Sequence, residues 1–223
     1  KVAAFKSGPD YIDPMFHSKV IGAKSRNLDV FMLGKETVKF LAAKNACDVN
    51  VSVFEGAMGF YDGMGKTAEA SAYALARTCD VPVILIVNGK GAALSVAAQI
   101  KGFKEFRQDS HIVGAILNNV NPMSYAYYKD VIEAESGVKL LGYFPVLVGC
   151  NFESRHLGLV TAEEIGDLQA IVERLALQAE KSLDLEGLLE IACNAPALEY
   201  VPHKVEDLGK VKLAIAQDKA FCF

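Results

Sequence analysis

The sequence has no C-x-x-C pair, no histidines at metal-ligand spacing, no G-x-G-x-x-G loop, no long apolar run and no basic excess. Each absence narrows what the chain can be. Its five cysteines, Cys47, Cys79, Cys150, Cys193 and Cys222, are scattered, which sets aside zinc ribbons and dithiol redox motifs. Most lie in apolar segments and read as small buried hydrophobes, a usage that suits a reducing, cytoplasmic setting. His17, His111 and His203 are isolated, which argues against a zinc site. The longest apolar run, around Val81 to Val87, is too short to span a bilayer, and no signal peptide is visible. A formal net charge of −4 argues against nucleic acid or an anionic membrane as partner over a broad face. A local cationic pocket for a small anion is still compatible with it.

What is present is a large apolar content, 52% of 223 residues, enough for the core of one α/β unit. Short β-branched runs alternate with helical patterns. Lys1 to Phe5 reads as a buried strand, "VNVSVFEG" (Val49 to Gly56) as a strand ending in Glu55, and "VPVILIVN" (Val81 to Asn88) as a strand buried on both faces. "HIVGAILNNV" (His111 to Val120) and "VKLLGYFP" (Val138 to Pro145) repeat the theme. Ala68, Ala72, Leu75, Ala76 and Cys79 share one helical face, and a second helix is expected from about Ala92 to Phe103. Thr161 with Glu164 makes a capping-box pattern that opens a third. The alternation predicts a mostly parallel sheet with helices on both faces. Residues 1–195 form that domain, 196–210 read as a Pro-containing linker, and 211–223 as the first strand of a second domain.

In open α/β sheets, ligands bind beyond the carboxyl ends of the strands. Three polar clusters fall at such ends. The first runs from Lys6 to Asp13, with Lys6 a candidate phosphate partner and Asp10 and Asp13 candidates to orient a substrate or shape a metal site. The same two acids also suit a turn and a helix N-cap. The second, "EGAMGFYDG" (Glu55 to Gly63), has an acid closing an apolar strand, as where Mg²⁺ is held in nucleotide-hydrolysing proteins. Glu55 and Asp62 are its candidate carboxylate ligands, and a solvated turn is the plain alternative. The third, "NGKGAALS" (Asn88 to Ser95), supports a dinucleotide site only weakly. Asn118 closes "AILN", as a turn residue or as a reader of a nucleobase edge. Arg155 beside His156 in "ESRHLGL" could grip a carboxylate or phosphate in a bidentate fashion. His17 belongs with the opening cluster.

Taken together, "FKSGPDYIDPMFH", "RNLD" (Arg26 to Asp29), "FEGAMGFYDG", "SVAAQIKGF", "GAILNNV", "LGYFP", "RHLGL" and "KLAIAQDKAFCF" resemble the cobyrinic acid a,c-diamide synthases, in that order and over essentially the whole chain. The resemblance implies a P-loop NTPase-like fold of the dethiobiotin synthetase kind. It also implies a carboxylate–amine ligase in cobalamin biosynthesis that amidates the a and c acetates of a corrinoid with ATP, Mg²⁺ and glutamine-derived ammonia, through acyl phosphates. By the same resemblance Lys6 lies near the phosphates. Asp10, Tyr11 and Asp13 orient the substrate carboxylates, and His17 lies with them. Glu55 and Asp62 tend Mg²⁺ and catalysis, Asn118 sits at the adenine, and Arg155, His156 and Ser95 belong to family signatures on the substrate side.

Members of that family carry G-x-x-x-x-G-K-[ST] shortly before the "FK-GPDYID" segment. This sequence does not contain it, and "GMGKT" (Gly63 to Thr67) lacks the full spacing. The expectation is therefore a synthetase domain without its phosphate loop, weakly active or inactive alone and prone to self-association through exposed strand edges. Cys222 would sit in the first strand of a glutaminase-like domain and would not be its nucleophile. The rival readings are amidation of nickel sirohydrochlorin or another tetrapyrrole, a ParA-like partition ATPase, and a non-catalytic binding fragment.

Overall fold

In the computed structural model, residues 1–150, 154–155, 158–159, 168–204 and 209–216 are described, except the side chains of Lys19 and of 154–155 and 158–159. The apolar runs, joined by one polar strand, form two three-stranded sheets, every pairing parallel. The first has β1 (Val2–Ser7) at its centre, between β2 (Lys24–Leu28) and β3 (Val51–Glu55). The second orders β4 (Val83–Asn88), β5 (Ile112–Asn118) and β6 (Lys139–Phe144). Helices supply every crossover. They are α1 (Ile12–Met15), α2 (Val30–Leu33), α3 (Lys35–Ala46), α4 (Ala72–Cys79), α5 (Ser95–Phe106) and α6 (Pro122–Ser136). A short antiparallel pair, β7 (Ser154–Arg155) and β8 (Gly158–Leu159), precedes α7 (Leu168–Ser182) and α8 (Leu185–Cys193). No helix among the described residues is long and apolar enough to cross a membrane.

Local chemistry sets the helix ends. Ser71 caps α4 through Ala74 N–H, Asn121 caps α6 through Ser124 N–H with Pro122 in the first turn, and Asp184 caps α8 through Gly187 N–H. Each sheet has its own core. Phe5, Leu28, Val38, Ala42, Leu75 and Cys79 pack on the first, and Val96, Ile100, Leu117, Ile132 and Leu140 on the second. A fully buried Leu, Ile or Phe contributes about 1.5–3 kcal/mol, so these clusters hold the helices to the strands.

The parallel α/β architecture is as expected, but the strands form two ladders, because β3 and β4 do not pair. Each is an edge strand, and each leaves an apolar side chain in solvent, Val53 at 52% and Ile86 at 71% exposure. Cys79 and Cys150 are buried as expected, but Cys47 and Cys193, at the carboxyl ends of α3 and α8, are exposed. The stretch 211–216 pairs with no strand among the described residues. Its Val211, Leu213 and Ile215 stand exposed because no sheet edge takes their backbone. Within 196–210, Leu198 packs on the first core, and the Tyr200 and His203 rings meet Phe40 at 6.4 and 5.0 Å. The capped start at Thr161 lies outside the described residues, as do His156 and Cys222.

Candidate active site at the sheet tip

The period-2 alternation of β1 sends Phe5 into the core and Lys6 to the other face. The parallel register then sets Lys6 directly between Asn27 of β2 and Glu55 of β3, so three polar side chains stand abreast at the carboxyl end of the sheet. Lys6 is 4% exposed, an unusual position for an ammonium without partners. It has three: an Asp13 carboxylate oxygen at 2.5 Å, Glu55 Oε1 at 3.1 Å and the Gly56 carbonyl at 3.1 Å. Burial works to lower the Lys6 pKa. Hydrogen bonds and charge from Asp13 and Glu55 outweigh it, and the net shift is upward. Lys6 is therefore a fixed cation over the whole neutral range.

The chain reaches Asp13 through a turn that the site residues build themselves. Asp10 Oδ1 accepts from the Ile12 N–H at 2.8 Å and the Asp13 N–H at 3.4 Å, opening α1. Asn27 donates through Nδ2 to the Gly8 carbonyl at 2.9 Å and also to the Asp10 carbonyl. One residue of "RNLD" thus pins the loop between β1 and α1. Asp29 of the same motif caps α2 by accepting from Phe31 N–H at 2.8 Å and Met32 N–H at 3.0 Å. After α1 the chain continues as a π-helical turn, Phe16–Val20. Such turns recur at functional sites. This one places His17 Nε2 2.9 Å from Glu55 Oε2 and His17 Nδ1 3.1 Å from Ser25 Oγ. Ser25 lies outside the family motifs, and Asn27, although inside "RNLD", takes no role from the resemblance. Their spacing of two on a strand beside Lys6 is the cue that sequence reading passed over.

The other expected site residues are placed as follows. Tyr11 is 45% exposed at the start of α1. Asp62 is exposed and its Oδ2 accepts from the Gly59 N–H at 3.1 Å, so it closes its own turn. A Cβ on Gly59 would lie 2.2 Å from that oxygen, which explains the glycine. The same loop is anchored by Tyr61, whose hydroxyl donates to the Phe103 carbonyl at 2.7 Å and whose ring stacks on Phe103. Ser95 opens α5 and is exposed. Asn118 pairs in register with Asn88 at the ends of β5 and β4, and its carbonyl accepts from Gly89 N–H at 2.8 Å. Arg155 lies in β7. Gly63 to Thr67 forms turns ahead of α4, with the Thr67 hydroxyl donating to the Met64 carbonyl, and does not open a helix as a phosphate loop would. Among the described residues, cavities of about 550 and 460 Å³ both border His111 and Val113 at the amino end of β5, away from the strand tips where ligands of such sheets sit.

What can the tip do chemically? Its charges are one ammonium against two carboxylates, with His17 alongside, so the cluster is acidic unless a cation joins it. No group of three His, Cys, Asp or Glu able to hold a metal occurs among the described residues. Mg²⁺ does not require one, because it binds through one or two carboxylates, with phosphate oxygens and water completing the shell. Glu55, its side chain 44% exposed, and Asp13, 19% exposed, are hard oxygen donors of that kind.

Comparison with known proteins adds to this. An AAA domain family model matches residues 24–154, from the start of β2 to the first residue of β7. The chain is also similar over its full length to proteins named cobyrinate a,c-diamide synthase. The one from Thermoplasma volcanium is 40% identical over 226 residues, covering all of this chain and 49% of the relative. That from Caldanaerobacter subterraneus subsp. tengcongensis is 40% identical over 223 residues, with 100% and 49% covered. That from Fusobacterium nucleatum subsp. nucleatum is 41% identical over 239 residues, with 100% and 52% covered. The chain spans about half the length of the curated relatives it matches. Parallel sheets flanked by helices agree with the P-loop NTPase-like class of the matched family. Lys6, Asp10, Asp13 and His17 precede the matched segment, while Glu55, Asp62 and Asn118 lie inside it.

Proposed function

The chain belongs to the AAA domain family, and from that premise and its likeness to the cobyrinate a,c-diamide synthases we propose that the whole protein is an ATP-dependent amidoligase acting on the a and c acetates of cobyrinic acid. The observation that carries this reading is the Lys6 ammonium locked between Asp13 and Glu55 at the tips of β1 and β3. A carboxylate resists nucleophiles because of its own charge. Activation therefore has a substrate carboxylate oxygen attack the γ-phosphorus of ATP as the bond to the ADP oxygen breaks. Ammonia from glutamine then attacks the acyl carbon, the carbon–oxygen bond to phosphate breaks, and one ammonia proton leaves with the phosphate.

The chain's residues bind and orient in this scheme. Lys6, held rigid by its two acids, presents positive charge where phosphate and carboxylate oxygens meet. Asp10 and Asn27 fix the turn that carries Tyr11 and Asp13 to the substrate. Asn118 lies on the adenine side, and Ser95, Arg155 and His156 on the corrinoid side. Glu55, with Asp62 or Asp13, would hold Mg²⁺, which when bound neutralises phosphate charge. Residues 1–195 form the synthetase domain, 196–210 the linker and 211–223 the start of a glutaminase domain. The protein works in the cytoplasm, and its exposed strand edges favour a homo-oligomer.

The test is incubation of the full-length protein with cobyrinic acid, ATP, Mg²⁺ and glutamine, followed by mass spectrometry. Two successive acid-to-amide mass changes are expected. Nickel sirohydrochlorin in a parallel incubation should be left unchanged. Amidation of that tetrapyrrole alone, or ATP hydrolysis without any amide, would overturn the assignment.

A further inference from the structure

We propose that Ser25 and His17 form a two-link brace that aims Glu55, making His17 a positioning residue for the catalytic acid and not a ligand of the substrate. The reading deepens the proposed amidoligase site and rests on it only for the catalytic arm of its test. Glu55 Oε2, as a carboxylate oxygen, only accepts, so His17 Nε2 is the donor across the 2.9 Å contact. His17 Nδ1 meets Ser25 Oγ at 3.1 Å. Both ring nitrogens are thus spent on the protein. With one carboxylate oxygen tied to His17, the other is turned to Lys6 at 3.1 Å, and the chain continues to Asp13.

The brace is built into regular structure at both ends. Ser25 is 6% exposed in β2, opposite Ala4 of β1, and a hydroxyl buried there has no route to a ligand. His17 lies in the π-helical turn, its side chain 13% exposed and its carbonyl accepting from Ala23 N–H at 2.9 Å. Ala4, two residues before Lys6 on β1, is itself buried opposite Ser25. Glu55, the final residue of β3, has no residue of its own strand beyond it to hold its rotamer. A carboxylate with a freely turning side chain would lose its angle to Lys6, and small misplacements of a reacting constellation cost up to about a hundredfold in rate.

The experiment compares Ser25→Ala, Ser25→Thr, His17→Gln and His17→Leu with wild type in the full-length protein, reading kcat and each KM. Proton NMR of the histidine N–H groups is recorded alongside. Ser25→Ala is expected to lower kcat about three- to tenfold, the range of one hydrogen bond, with the KM for ATP and for the corrinoid unchanged. Ser25→Thr, which keeps the hydroxyl, restores most of that loss. His17→Gln, which keeps an N–H donor, retains more kcat than His17→Leu. In the spectra, a slowly exchanging His17 Nε2 proton is present in wild type and lost in Ser25→Ala. A corrinoid KM that rises in the His17 variants while kcat holds would make His17 a substrate ligand and overturn the brace. So would a Ser25→Ala enzyme equal to wild type, or a wild-type spectrum without the protected proton. If wild type fails to amidate cobyrinic acid, the function falls and the spectra alone decide the brace.

Discussion

Lys6→Met keeps the length of the side chain and removes its charge, and its cost can be worked from the contacts. Three acceptors lose a donor: Asp13, the Gly56 carbonyl and Glu55, which keeps His17. A hydrogen bond to a charged group is worth about 1.5–3 kcal/mol, and breaking a buried pair from one side about 3–5 kcal/mol. Two features reduce the cost here. Glu55, at 44% exposure, regains water when Lys6 is gone, and the buried ammonium no longer has to be desolvated. Asp13, at 19%, regains little and is left facing a second carboxylate. The expected loss is about 2–3 kcal/mol in a urea titration at neutral pH. The pH dependence follows from the direction of the shift. The folded Lys6 pKa is raised above 10.5, so its contribution is complete below 10.5 and lost as the pH climbs through the raised value. The gap between wild type and Lys6→Met should therefore stay level through neutral pH and close in strong alkali. A variant as stable as wild type at neutral pH, or a gap that persists once Lys6 has lost its proton, would refute the reasoning.

Other outcomes follow from single residues. Asn27→Ala frees the Gly8–Asp10 turn and should lower the amidation kcat of the full-length protein about tenfold, with only about 1 kcal/mol lost in urea denaturation. Gly142→Ala should cost about 3 kcal/mol or more in the same titration. Gly142 sits at φ +118°, and a Cβ there would lie 2.2 Å from the Ser182 carbonyl oxygen and 2.7 Å from Leu183 Cα. Burial pushes the Cys79 thiol up to about 11, so in a native alkylation time course Cys79 should stay unmodified while Cys47 and Cys193 react. Peptide mapping reads the order.

The legible part of the fold was the part written in long apolar runs. "VPVILIVN" and "HIVGAILNNV" could be little other than buried strands, and β4 and β5 lie within them. Strand β2 was not legible because "KSRNL" is polar. As an edge strand with one face on the site, it buries Ser25 and Leu28 and leaves Lys24 exposed, so it carries no hydrophobic signature. Helix α6 hid behind tyrosines and a serine, although Asn121-Pro122 and Gly137 mark its ends. At the site, Lys6 and Glu55 stood out because charges closing apolar strands are costly unless used or paired, and Asp13 because it follows Lys6 in one polar cluster. Their meeting depends on the register of β1 with β3, which no local pattern encodes. The roles of Ser25 and Asn27 were hidden for the same reason: each acts across strands.

The most direct test of the central claim, that the tip of β1 and β3 activates a carboxylate with ATP, is to trap the activated species. Full-length protein with cobyrinic acid, ATP and Mg²⁺, given hydroxylamine in place of glutamine, should yield a corrinoid hydroxamate with one ADP formed per group trapped. Glu55→Gln and Lys6→Met should abolish the hydroxamate together. Hydroxamate formed at the wild-type rate by either variant, or none from wild type while amidation proceeds, would contradict the claim.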